Sequence, residues 1–67
     1  MIRLTVNGRP IELEGEVSIT ELLRLKGLDE AFVAVERNAE LTRREDWARI
    51  VLKEGDRVEI VRIVGGG

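Results

Sequence analysis

The sequence predicts an α+β fold: a mixed five-stranded sheet (at least four strands) with one main helix packed across one face. Three observations predict it. Apolar and polar residues alternate strictly on either side of Asn7-Gly8. A helix-start signal at Ser18 leads into apolar residues at helical spacing. The chain then returns to β-rich runs over residues 32–36 and 58–64.

Ile2, Leu4 and Val6 alternate with Arg3 and Thr5, the period of a strand with one buried face. Asn7-Gly8 follows, a strong hairpin signal because both residues tolerate positive φ. Ile11 and Leu13 alternate with Glu12 and Glu14, so residues 2–14 read as a β-hairpin. Pro10 falls near the start of the second strand, where a missing N–H does little harm.

Ser18 and Glu21 have the spacing of a capping box, and Val17 and Leu22 that of a hydrophobic staple. Ile19, Leu22 and Leu23 form the apolar stripe of a helix over residues 19–26, with Leu25 towards its edge. Lys26 suits the negative end of the helix dipole, and Gly27 suits the terminating position.

Residues 32–36 contain little that is polar and read as a central strand. Asn38, just after it, can adopt a left-handed turn conformation. Arg44-Glu45-Asp46-Trp47 reads as one helical turn that anchors Trp47 against the core. Ile50 and Leu52 form a short strand, residues 53–56 a tight turn, and Val58 to Val64 the last strand. A hairpin, a helix across the sheet and then further strands is the β-grasp arrangement, with the first and last strands as central parallel neighbours. Residues 1–64 form the domain and residues 65–67 a flexible glycine tail.

Composition excludes several classes of function. There is no cysteine and no histidine among the 67 residues, so disulfides, thiolate zinc sites and thiol nucleophiles are ruled out. Hydrophobic residues make up 43%, nearly all aliphatic, so stability has to come from their packing. Eleven basic residues against thirteen acidic ones give a net charge of −2, which argues against a nucleic-acid partner. One Phe and one Trp cannot build a base-stacking platform. The N-terminus lacks the basic and apolar regions of a signal peptide, and no apolar stretch approaches the roughly 20 residues that cross a bilayer. The expectation is a soluble, cytoplasmic protein with no membrane partner, no metal and no bound cofactor. Glu12, Glu14 and Glu16 alternate along the hairpin and read as solvated surface.

The tail carries the candidate chemistry. Gly65, Gly66 and Gly67 place no side chain at three successive positions, so the segment can thread a channel too narrow for a Cβ. Extended, it presents its carboxylate away from the domain by up to about 3.3–3.6 Å per residue. Gly67 is therefore the candidate reactive residue, through its main-chain carboxylate, with Gly65 and Gly66 giving access to a partner's active site. In the 32–36 run, Phe32 and Ala34 alternate with Val33 and Val35, so one pair faces the helix and the other is open. Phe32 belongs either to the core or to a docking surface. The candidate docking residues are Phe32, Ala34 and Val64.

The chain resembles the thiamine-biosynthesis sulfur-carrier proteins, ubiquitin-like β-grasp domains that end in Gly-Gly. The resemblance runs through the opening strand with Asn7-Gly8, the 17–23 segment Val-Ser-Ile-Thr-Glu-Leu-Leu, the 33–38 segment Val-Ala-Val-Glu-Arg-Asn and Arg44-Glu45-Asp46-Trp47. It continues in Glu54-Gly55-Asp56, the 58–61 segment Val-Glu-Ile-Val and the glycine end. A third glycine before the usual pair is the one departure.

The resemblance implies a mechanism. A ubiquitin-activating-type enzyme uses ATP to adenylate the Gly67 carboxylate, a persulfide donor converts the adenylate to a thiocarboxylate, and thiazole synthase takes the sulfur for the thiazole ring of thiamine. The chain is then a covalently modified carrier and not an enzyme. Three alternatives stay open from the sequence. They are the small subunit of molybdopterin synthase, with the same thiocarboxylate chemistry, a ubiquitin-like protein modifier, and a non-covalent interaction module.

Overall fold

The structure is a computed structural model and describes residues 1–63; Val64, Gly65, Gly66 and Gly67 lie outside the described residues. The elements are β1 (Ile2–Val6), β2 (Arg9–Leu13), β3 (Val17–Ser18), α1 (Ile19–Leu25), β4 (Val33–Arg37), β5 (Glu40–Leu41), β6 (Val51–Leu52) and β7 (Arg57–Arg62). Five strands form one sheet in the order β2-β1-β7-β4-β5, and β3 and β6 pair separately. β1 and β7 are parallel and every other pair is antiparallel, which is the β-grasp topology.

Local chemistry explains the elements. Asn7 (φ 51°) and Gly8 (φ 80°) close the β1–β2 hairpin with both central residues left-handed, the twist that two-residue hairpins favour. The Ser18 hydroxyl accepts from the Glu21 N–H at 3.0 Å while the Glu21 carboxylate accepts from the Ser18 N–H at 2.8 Å, completing the capping box. The Ser18 N–H, then the Ser18 hydroxyl, and to a smaller extent the Arg24 charge, hold the Glu21 carboxyl below its ordinary pKa against slight desolvation. At the other end Gly27 (φ 69°) donates to the Arg24 carbonyl at 3.0 Å and Leu28 to the Leu23 carbonyl at 2.9 Å. That is a Schellman ending, and it stops α1 at Leu25 with Lys26 as the cap.

One face of the sheet and the apolar stripe of α1 bury Leu4, Val6, Ile19, Leu22, Leu23, Val33, Val35, Leu52 and Val58 together with Trp47. Trp47 is seated by the short 3-10 turn at Arg44–Asp46. Its ring N–H donates to the Thr42 hydroxyl at 2.8 Å, and that hydroxyl donates to the Val35 carbonyl at 2.7 Å. The Arg44 guanidinium lies 5.7 Å from the ring centroid.

Four boundaries differ from the sequence reading. The strand expected over 32–36 is Val33–Arg37, because Phe32 belongs to a 3-10 turn at Glu30–Phe32. Asp29 caps that turn by accepting from the Ala31 N–H at 2.9 Å. The strand expected at Ile50 and Leu52 is Val51–Leu52, and it pairs with β3 instead of extending the main sheet. The last strand ends at Arg62, short of Ile63. The helix expected over 19–26 ends one residue earlier, at its Schellman cap.

The β4–β5 turn carries a strained residue. Asn38 (φ 51°) suits the left-handed region, but Ala39 (φ 71°) meets a Cβ penalty there of about 1–2 kcal/mol. Ala39→Gly should relieve most of that penalty, offset in part by the greater freedom of glycine in the unfolded chain. A net gain of about 1 kcal/mol would raise Tm by roughly 4–8 °C in a domain of this size. A Tm unchanged or lowered would contradict this reading.

Candidate functional site

The site is built where β7 leaves the sheet. β7 is held on both sides, by β1 and by β4, so its direction is set by two ladders. Asn7 adds a side-chain clamp. Its amide oxygen accepts from the Ile60 N–H at 2.7 Å, and its amide nitrogen donates to the Ile60 carbonyl at 3.2 Å. The Asn7 N–H also donates to the Val58 carbonyl at 2.9 Å. The carboxamide thus continues the β1–β7 pairing past the end of β1. The sequence marked Asn7 only as a turn residue; nothing local to it reveals a partner 53 positions away.

At the far end of β7 the Ile63 N–H donates to the Phe32 carbonyl at 2.7 Å, and Val61 stands directly opposite Ala34. Residues opposite each other in an antiparallel ladder share a face. Ala34 and Val61 therefore share the sheet face away from α1, and Phe32 and Ile63 lie at the end of that ladder, joined by their main-chain hydrogen bond. Phe32 is 59%, Val61 56% and Ile63 45% exposed, whereas Val33 and Val35 are buried on the helix side. Of the two readings of Phe32, the core one is overturned: the Asp29-capped turn carries its ring out of the core. Ala34 lies beside it as the alternation predicts, and Val64 is outside the described residues.

Further along the same face Glu36 stands opposite Glu59. Like charges directly opposed on a sheet are destabilising, and neither glutamate forms an ion pair among the described residues. The open face thus has an apolar half beside the exit of β7 and an anionic half beyond it.

The described residues beside this exit include no cysteine or histidine. Two described acids held below their ordinary pKa, Glu21 and Asp56, serve the fold. Glu21 belongs to the helix cap. Asp56, 8% exposed, accepts from the Lys53 N–H at 2.9 Å, the Arg37 Nε at 3.0 Å and the Asn38 amide at 3.1 Å. Burial pushes the Asp56 pKa up, but these hydrogen bonds and the Arg37 charge outweigh it and hold the carboxyl below 3.8. Among the described residues no group of three or more acidic side chains is placed to hold a metal ion. No described helix is long and apolar enough to cross a membrane. The residues expected to carry the chemistry, Gly65, Gly66 and Gly67, lie outside the described residues.

The model of the ThiS family matches residues 4–67. The sulfur carrier protein ThiS of Bacillus subtilis is 35% identical over 65 residues, covering 96% of this chain and 98% of that protein. A thiazole synthase of Paramagnetospirillum magneticum is 35% identical over 66 residues, covering 98% of this chain. The chain spans about a fifth of that relative, 20% of its length. The crystal structure of a thiamine biosynthesis protein (ThiS) from Geobacter metallireducens superposes with a TM-score of 0.84 at 40% identity, covering 98% of this chain and 100% of that one.

Proposed function

This chain belongs to the ThiS family, and on that premise we propose that it is a sulfur carrier for thiamine biosynthesis, with Gly67 as the loaded residue. The observation that carries this reading is the end-to-end likeness to the Bacillus subtilis sulfur carrier, which extends over nearly all of both chains. The family match reaches Gly67 itself.

The chemistry follows from what a carboxylate lacks. It is a poor electrophile, so its oxygen first attacks the α-phosphorus of ATP, pyrophosphate leaves, and an acyl-adenylate forms. The terminal sulfur of a persulfide donor then attacks the carbonyl carbon and AMP leaves. A thiol cleaves the resulting sulfur–sulfur bond, leaving a thiocarboxylate on Gly67 and a disulfide on the donor side. The thiocarboxylate sulfur is a better nucleophile than the oxygen it replaced, and thiazole synthase consumes it.

Every catalytic group in this sequence comes from a partner. The chain has no cysteine or histidine, and its perturbed acids are tied into structural hydrogen bonds. It acts as a co-substrate. The ATP-dependent step belongs to an adenylating enzyme of the ubiquitin-activating type and to the cytoplasm. The open face gives that enzyme a handle beside the tail. Phe32, Ala34, Val61 and Ile63 meet an apolar surface, Val64 is the further docking residue the sequence suggests, and a cation from the partner settles between Glu36 and Glu59. Gly65 and Gly66 pass through the narrow entrance that admits Gly67.

Sulfur transfer tests the reading. Carrier loaded from a donor bearing a heavy sulfur isotope should pass that isotope into the thiazole product when thiazole synthase and its other substrates are added. The loaded mass should disappear in step. Thiazole formed with unlabelled sulfur, while the carrier stays loaded, would reject the role.

A further inference from the structure

A second surface lies on the helix side of the sheet, away from the exit of β7. β2 is an edge strand. The pair closing the two-residue turn, Val6 and Arg9, is hydrogen-bonded, and alternation along the ladder turns the main-chain groups of Pro10 and Glu12 outward. Pro10 therefore costs no ladder bond, and Glu12 offers an outward N–H and carbonyl along an uncovered edge.

Beside that edge runs a shallow apolar groove floored by Leu13, Val17 and Leu25. Leu25, on α1, is 65% exposed beside the half-buried Leu13 and Val17. The rim is anionic. Glu14, Glu16 and Glu21 border the groove against a single cation, Arg24, and Glu12 is already paired with Arg3 at 3.3 Å.

We infer that this edge and groove dock an extended segment of a partner protein in which basic and apolar residues alternate. The segment adds as a strand along β2, with its apolar side chains over Leu13, Val17 and Leu25 and its cations against Glu14, Glu16 and Glu21. Charge complementarity selects this occupant. A second copy pairing edge to edge would bring these acidic rims together, and an acidic segment would be repelled. Strand addition supplies affinity through main-chain hydrogen bonds, and the groove supplies selectivity through alternate side chains. Because the groove faces away from Phe32 and Val61, such a partner can stay bound while the tail is engaged elsewhere. The inference does not depend on the chemistry of Gly67.

The test titrates the isotope-labelled protein with a blocked Lys-Val-Lys-Val-Lys peptide and follows amide shifts by NMR, with Glu-Val-Glu-Val-Glu as the control. The lysine peptide should shift the amides of Glu12, Glu14, Val17 and Leu25 and slow exchange of the Glu12 N–H. Leu25→Glu, at an exposed position that leaves the fold intact, should weaken binding about tenfold or more by placing a charge in the apolar floor. Phe32→Glu should leave binding unchanged. No shifts at millimolar peptide, shifts centred on Phe32 and Val61, or binding indifferent to Leu25→Glu would each overturn the proposal.

Discussion

Phe32→Glu combined with Val61→Asp should slow loading of the carrier by its activating enzyme by about 10²-fold, with little change in stability. Both side chains are more than half exposed, so the fold loses almost nothing when they become charged. The docked state loses much more. Two carboxylates would have to be desolvated against an apolar partner surface, and truncating or charging a central interface anchor costs about 2–4 kcal/mol. At 1.4 kcal/mol per tenfold, that loss corresponds to about 10²-fold in the affinity on which loading depends. The measurement is the loading rate at sub-saturating carrier, alongside a urea midpoint. Normal loading by the double variant would show that the open face is not the handle. A lost midpoint would show instead that these residues support the core.

Asp56→Ala should destabilise the domain by about 3 kcal/mol, because it removes the common acceptor of three donors in a nearly buried site. A domain of this size has only about 3–5 kcal/mol in hand, so the variant should keep about 0–2 kcal/mol and be marginally folded. Asp56→Asn keeps the shape and one acceptor but turns an amide toward N–H donors, and should fall between the two. The pH dependence has a definite sign. The folded pKa of Asp56 is depressed below 3.8, so its contribution is complete above the unfolded pKa. That contribution is lost as pH falls through the folded value. The wild-type urea midpoint should therefore drop on acidification below about pH 4, and Asp56→Ala should lack that share of the drop. Equal acid sensitivity in both proteins would remove Asp56 from the account.

The parts of the fold written in local residue order were legible without coordinates. Asn7-Gly8 states its turn, Ser18 and Glu21 state a cap, and the apolar run beginning at Val58 states a strand. The parallel β1–β7 pair followed from assembling these in order. Other features depend on partners distant in sequence or on segments too short for a period to register. β3 and β5 have two residues each, so alternation cannot mark them, and the short strand read near Leu52 gave no sign that it pairs with β3. Asn7 and Asp56 look like ordinary turn residues until β7 and Arg37 are placed beside them.

Phe32 was misread as the first residue of a strand because its β-propensity outweighed a nearer signal. That signal was Asp29 two residues before Ala31, the spacing of a side chain capping a turn. The open face was half legible: alternation separated Phe32 and Ala34 from Val33 and Val35, but only the β4–β7 register joined them to Val61 and Ile63. The reactive end falls outside the described residues, and the claim that the Gly67 main-chain carboxylate is the group to modify stands as a proposal, drawn from the three glycines and the lack of cysteine and histidine.

That claim is tested most directly by the intact mass of the protein after incubation with ATP, the activating enzyme and a persulfide donor. A gain equal to exchanging one oxygen for one sulfur, dependent on ATP and absent when Gly67 is deleted, is the expected result. An unchanged mass in the complete mixture, or a product joined to a lysine through an isopeptide bond, would contradict it.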